Sequence, residues 1–154
     1  MSTNWIKDIH DMHNHFLFHD IINYYEKEQK FDLLKEYLKF RIRFLEEELN
    51  ELKTASTAED IVDALIDLCV VAIGTLDLYK VNAEQAWNEV LRANMSKKVG
   101  IKENRPNAFG FPDLIKPEGW IGPSHENNHG LIGLLDKINW GNLKWQQNNM
   151  KENQ

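Results

Sequence analysis

The stretches Glu46-Glu47-Glu48-Leu49-Asn50-Glu51 and Asp60-Ile61-Val62-Asp63-Ala64-Leu65-Ile66-Asp67 lie one short break apart in a chain that otherwise reads as helix. Residues three or four apart on a helix are neighbours, so Glu47, Glu48 and Glu51 share one face, and Asp63 and Asp67 share another. An acidic helix face taken alone is usually just a solvated surface. The aspartates differ, because they sit among Ile61, Val62, Leu65, Ile66 and Leu68 in a run apolar enough to be buried. A buried carboxylate is costly unless it is paired or bound to a cation. Lys53 is the only basic residue between Arg43 and Lys80, so a divalent metal is the better partner. Two such helices packed antiparallel make a carboxylate cage for Mg²⁺, with Mn²⁺ as a substitute, and that donor set belongs to phosphoryl chemistry.

A third constellation is Arg92-Ala93-Asn94-Met95-Ser96-Lys97-Lys98. Asn94 and Lys97 are three apart and point the same way, so with Lys98 they are candidates to hold phosphates. The same residues also suit a plain helix C-terminus, where cations complement the dipole. Arg41 and Arg43, shortly before the glutamates, are candidates of lower rank.

The elements that must carry these groups follow from apolar spacing. Ile6, Ile9, Met12 and Phe16 predict a short amphipathic helix over 4–16. Residues 17–30 are ambiguous. Leu34, Leu38, Ile42, Leu45, Leu49 and Leu52 predict a long helix over 31–53. Thr54-Ala55-Ser56-Thr57 breaks it, and Ser56 or Thr57 can cap a second helix with Glu59 and Asp60 in its first turn. That helix runs to about Tyr79 and is apolar nearly all round, more than one small protomer would bury. A further helix begins at Val81 or Asn82 and ends near Lys98, with Gly100 as terminator. All four prolines then follow Gly100, in an irregular arm too short for its own core. An amphipathic piece over 131–145 is expected to dock back as a helix.

Bulk composition bounds the rest. At 154 residues and 42% hydrophobic content, one domain is expected. A formal charge of −6 argues against nucleic-acid binding, and no apolar run is long enough to span a bilayer. The single cysteine, Cys69, and a start lacking a signal-peptide core point to the cytoplasm.

Glu47-Glu48-x-x-Glu51, the aspartate helix continuing Asp67-Leu68-Cys69-Val70-Val71-Ala72-Ile73-Gly74-Thr75, and Asn94-Met95-Ser96-Lys97 together resemble the MazG-like, all-α nucleoside triphosphate pyrophosphohydrolases. The likeness is to the branch related to phosphoribosyl-ATP pyrophosphohydrolase, bacteriophage versions included, and covers about residues 35–98. Asp11-Met12-His13-x-x-Phe16 and Phe111-Pro112-Asp113 to Gly119-Trp120 resemble that branch less specifically. The resemblance implies an antiparallel helical bundle completed by oligomerisation into a homodimer or homotetramer. Residues 1–98 would form the helical catalytic domain, and 99–154 its C-terminal arm and docking helix. It implies Mg²⁺-dependent hydrolysis of a nucleoside triphosphate to monophosphate and pyrophosphate by attack of water on the α-phosphorus. Glu48, Glu51 and Asp67 resemble the metal ligands, and Glu47 a further ligand or the group that activates the water. Asn94 and Lys97 would steady the phosphates.

One departure stands out: three residues before Asp67, where the family carries glutamate, this chain has Ala64, and the nearest acid is Asp63. Asp63 is expected to substitute as a ligand. Base recognition is expected in the N-terminal segment and the arm, with His13 and Trp120 as candidates. Rival readings are phosphoribosyl-ATP hydrolysis and a non-catalytic helical interaction module.

Two further motifs mislead. His125-Glu126-Asn127-Asn128-His129 spells the HExxH string of zinc peptidases, but Pro123 precedes it and Gly130 follows, in a setting poor for the helix that motif requires. His10, His13, His15 and His19 crowd together, yet fit no single helix face. Packing or surface roles are expected for them, since a metal site there would need special folding.

Overall fold

The computed structural model describes residues 4–105 and 107–135. They form an all-α fold with one small sheet, divided into two compact units: 4–81 with 129–135, and 82–128.

In the first unit, α1 (Trp5–His15) starts at Asn4, whose side chain accepts a hydrogen bond from the Lys7 amide at 3.0 Å. The ambiguous segment is a helix, α2 (Phe18–Lys27), separated from α1 by Phe16 and Leu17. Leu17 takes a left-handed φ of 61°, unusual for a leucine, and this turn folds α2 back along α1. Helix α3 (Phe31–Thr54) spans the predicted range, but of the predicted stripe only Leu34 and Leu38 are buried; further along, Arg41 and Glu48 take the inward positions and Leu49 is exposed. Helix α4 (Ala58–Leu78) opens with a capping box in which Thr57 and Asp60 exchange side-chain-to-backbone hydrogen bonds.

Helices α3 and α4 pack as an antiparallel pair. Tyr79 donates its hydroxyl to the Leu34 carbonyl, Arg41 donates to Thr75 and to the Val71 carbonyl, and Glu48 lies near Asp67. As the number on one helix rises, its partner's falls. The core gathers at the end remote from the carboxylates: Ile22, Leu34, Leu38, Leu78, Tyr79 and Leu131 are buried together.

The segment after 129 reaches this core through a 3₁₀ turn, Gly130–Leu134, rather than the amphipathic helix expected from 131, while residues 136–145 of that expectation lie outside the described residues. Gly130 makes the docking feasible. It has φ +53°, and a Cβ there would stand 2.1 Å from the Tyr79 carbonyl oxygen, which accepts the Leu131 amide at 2.7 Å. Gly130→Ala is therefore expected to cost about 2 kcal/mol through backbone strain and lost packing of Leu131. A thermal melt lowered by roughly 4–8 °C checks it; an unchanged melt would show that this turn contributes nothing to the core.

The second unit holds α5 (Ala83–Met95) and a two-stranded antiparallel sheet of β1 (Lys98–Gly100) and β2 (Asp113–Ile115). Helix α5 stops at Met95, short of the expected Lys98, because the chain turns at Ser96 and Lys97 to enter β1. Asn82 caps the helix, and Asn128 clamps Asn82 from across the unit, accepting its N–H at 2.8 Å and donating to its C=O at 2.9 Å. Among the described residues, no helix is long and apolar enough to cross a membrane.

Candidate functional site

Helix α3 presents Glu47, Glu48 and Glu51, and α4 presents Asp63 and Asp67, toward a common region of the hairpin. Glu48 is the centre of the group and is buried at 8% exposure. Its carboxyl is held above the ordinary value of 4.5 by burial first, then by the negative charges of Glu51, Asp67, Glu47 and Asp63 in that order. Every leading influence opposes its ionisation. Asp67 is half-buried, while Glu47, Glu51 and Asp63 are exposed.

Position 64 explains the weaker place of Asp63. Ala64 is buried at 4% exposure, so it holds the inward direction that the family's glutamate would use. Asp63 emerges one step around the helix, solvent-facing, and its influence on Glu48 is the smallest of the four. The five carboxylates supply hard oxygen donors from two facing helices, a set that suits Mg²⁺. Among the described residues, the group whose ligand atoms all lie within 4.8 Å of one another is His10, His19 and Asp77.

Behind the carboxylates lies Arg41, buried at 7% exposure. Its Nε donates to Thr75 Oγ1 at 3.0 Å and its Nη2 to the Val71 carbonyl at 2.9 Å. It braces α3 against α4 at the place where Gly74 leaves room.

The remaining candidates have settled partners. Asn94 lies in the last turn of α5, and its Oδ1 accepts from Lys97 Nζ at 2.7 Å, while Lys98 opens β1 and is exposed. Trp120 donates its indole N–H to the Ala93 carbonyl at 2.8 Å, with the Lys116 ammonium 4.6 Å and the Lys97 ammonium 5.7 Å from its ring centroid. These contacts fix the ring to the end of α5 within the second unit. His13 is buried at 4% exposure with its Nδ1 2.7 Å from Asp77 Oδ2. Residues 125–128 form a turn in which the Asn128 amide donates to the His125 carbonyl, so the HExxH string lacks the helix that peptidase chemistry needs. Trp140 and Trp145 lie outside the described residues.

The profile of the phosphoribosyl-ATP pyrophosphohydrolase family matches residues 17–94, half of the chain and the whole of the α3–α4 hairpin. The chain belongs to the phosphoribosyl-ATP pyrophosphohydrolase family. No curated protein matches the sequence. Membership in the phosphoribosyl-ATP pyrophosphohydrolase family supports a pyrophosphohydrolase activity on a nucleotide, and the helical architecture agrees with that family.

The histidine group is what sequence reasoning missed. Asp77 was not singled out, although one signal was present: an acid in the last turn of a helix opposes the dipole and needs a reason to be there. The reason is three imidazoles. Burial alone would raise the Asp77 carboxyl, but the imidazoles of His13, His10 and His19 beside it outweigh that and hold the carboxyl well below the usual range.

Proposed function

We propose that the protein hydrolyses a nucleoside triphosphate, by preference a deoxynucleotide, to the monophosphate and pyrophosphate with Mg²⁺ bound by Glu48, Glu51 and Asp67. The observation that carries this is Glu48, buried and ringed by Glu51, Asp67, Glu47 and Asp63 with every leading influence raising its pKa. Such a group favours a proton or a neighbouring cation more than a solvated carboxylate does. Bound there, Mg²⁺ supplies charge neutralisation of the phosphate oxygens.

The chain's own residues do the rest. Glu48 and Asp67 hold fixed positions across the hairpin because Arg41 and the Tyr79 hydroxyl lock its register. Glu47, exposed and next to that centre, takes a proton from the attacking water in this reading. The new bond joins the water oxygen to the α-phosphorus, the bond to the bridging oxygen breaks, and pyrophosphate leaves with those electrons. Asp63 contributes negative charge from the exposed flank.

Product analysis tests the reading: purified protein, Mg²⁺, all common NTPs and dNTPs, and phosphoribosyl-ATP, scored for pyrophosphate against orthophosphate. Pyrophosphate from one or two deoxynucleotides is expected. Turnover of phosphoribosyl-ATP alone would keep the reaction and replace the substrate, and silence throughout would sink the enzyme reading.

A second copy of the chain is the proposed cover for the first half of α4, where Ile61, Val62, Leu65 and Ile66 are 42%, 62%, 47% and 44% exposed. These residues flank Asp63 and Asp67, so a copy seated there would also shield the carboxylates from water. Light scattering should give at least a dimeric mass, reduced to the monomer by Leu65→Arg. A monomeric mass for the unaltered protein would overturn it.

A further inference from the structure

The crowded histidines do receive the special folding that a metal site requires. The left-handed turn at Leu17 brings His19 of α2 over α1, with its ring centroid 4.5 Å from that of His10 and 5.8 Å from that of His13. Asp77, in the last turn of α4, enters between them. Its Oδ1 lies 2.7 Å from His10 Nδ1, and its Oδ2 lies 2.7 Å from both His13 Nδ1 and His19 Nε2.

His19 decides how this group is read. Its Nδ1 lies 2.6 Å from Asn14 Oδ1 while its Nε2 faces Asp77, so both ring nitrogens point at oxygens. A neutral imidazole carries one N–H. In the neutral ring with Nδ1–H donated to Asn14, Nε2 turns a lone pair toward a carboxylate oxygen, and a cation shared by both satisfies that contact. An outer carbonyl that fixes the ring and frees the inner nitrogen is the usual support of a metal-bound histidine.

We propose that His10, His19 and Asp77 hold a borderline divalent transition-metal ion, Zn²⁺ by the chemistry of the donor set, with His13 and Asn14 orienting the ligands. The three ligand atoms already lie within 4.8 Å of one another. Donors around tetrahedral zinc are spaced about 3.4 Å apart, so each imidazole needs to part from the carboxylate by well under an ångström. The His13 side chain is 5% exposed and serves as a buried positioning group, whereas the His10 side chain is 52% exposed and leaves a path for the ion. Two imidazoles and a carboxylate select a different metal from the all-oxygen group around Glu48. The sites are also separate: Asp77 lies ten residues beyond Asp67, about 15 Å along the same helix. The ion would tie α1 and α2 to the end of α4, in effect a staple for the N-terminal hairpin.

Zn²⁺ titrated calorimetrically into the EDTA-stripped full chain, with excess Mg²⁺ present, tests this. One equivalent per chain is expected, unchanged in Glu48→Gln. Affinity should fall about a hundredfold in His10→Ala and His19→Ala and about tenfold in Asn14→Ala, with helicity followed by circular dichroism. Nitrogen-15 spectra of the unaltered protein keep the test independent of whether those variants fold. His10 Nδ1 and His19 Nε2 should move to metal-bound positions on adding Zn²⁺, while His15 and His125 stay. Absence of uptake, with His19 protonated at both nitrogens, would overturn the site. So would Zn²⁺ binding that disappears in Glu48→Gln.

Discussion

Glu48→Gln is expected to remove turnover and at the same time stabilise the metal-free protein. The loss in kcat/KM should be on the order of 10²–10³-fold, the scale seen when one preorganised charge at a reacting centre is deleted. The gain in stability follows from burial. Glu48 is 8% exposed, and its neighbours in the cluster are all carboxylates. Because its folded carboxyl lies above the ordinary 4.5, the native chain holds that proton more tightly than the unfolded chain does. Stability is then greatest below the ordinary value and declines as pH climbs through the raised one. The glutamine keeps the shape without the charge, so at neutral pH it should relieve about 1 kcal/mol, raising the melt by roughly 2–4 °C.

Mg²⁺ should invert the ranking. A ligand that binds only the native state adds about 2.7 kcal/mol at a hundred times its dissociation constant, and the variant forfeits most of that. Steady-state kinetics reads the loss of turnover, and melts of both proteins at acid and neutral pH, with and without Mg²⁺, read the two stability effects. A glutamine variant less stable than the parent when metal-free, or still stabilised equally by Mg²⁺, would contradict the cation-seeking role of Glu48.

The second large effect is expected at Gly74. A Cβ there would stand 3.0 Å from Arg41 Nη2 and 3.0 Å from His13 Cε1, tighter than ordinary contact for both. Both neighbours are buried and held, Arg41 by Thr75 and Val71, His13 by Asp77. Neither can retreat without breaking a buried hydrogen bond. Gly74→Val, with two further methyl groups, should therefore cost about 3 kcal/mol and lower the melt by roughly 6–12 °C. The denaturant midpoint should fall with little change in slope. The same substitution should weaken Zn²⁺ at the histidine group by displacing His13, a readout that general loss of packing would not move if measured well below the melt. An unaltered midpoint would show that the α1–α4 contact is looser than its geometry.

Helices α3 and α4 were legible from residue types alone, because their apolar spacing, the Thr57 cap and the acidic first turn are local signals, each acting within a few positions. The carboxylates of the candidate site were legible for the same reason: Glu47, Glu48, Glu51 and Asp67 are placed by helical periodicity, and the hairpin between them is short. Other features depend on the whole chain. Helix α2 is set against its neighbours through the turn at Leu17, where a leucine takes a conformation that no local preference would forecast. The early end of α5 follows from the pairing of β1 with β2, residues some fifteen positions apart.

His10, His13 and His19 meet Asp77 across separations of 67, 64 and 58 residues. No periodicity reaches that far, so only tertiary packing could bring four scattered polar residues into one cluster. Sequence by itself determined the helices and the acids they carry; the fold decided which of those acids faces solvent, which faces another acid and which faces three imidazoles. The physical reason is range: side-chain period and capping act over one or two turns, while burial, charge and close approach are properties of the packed chain.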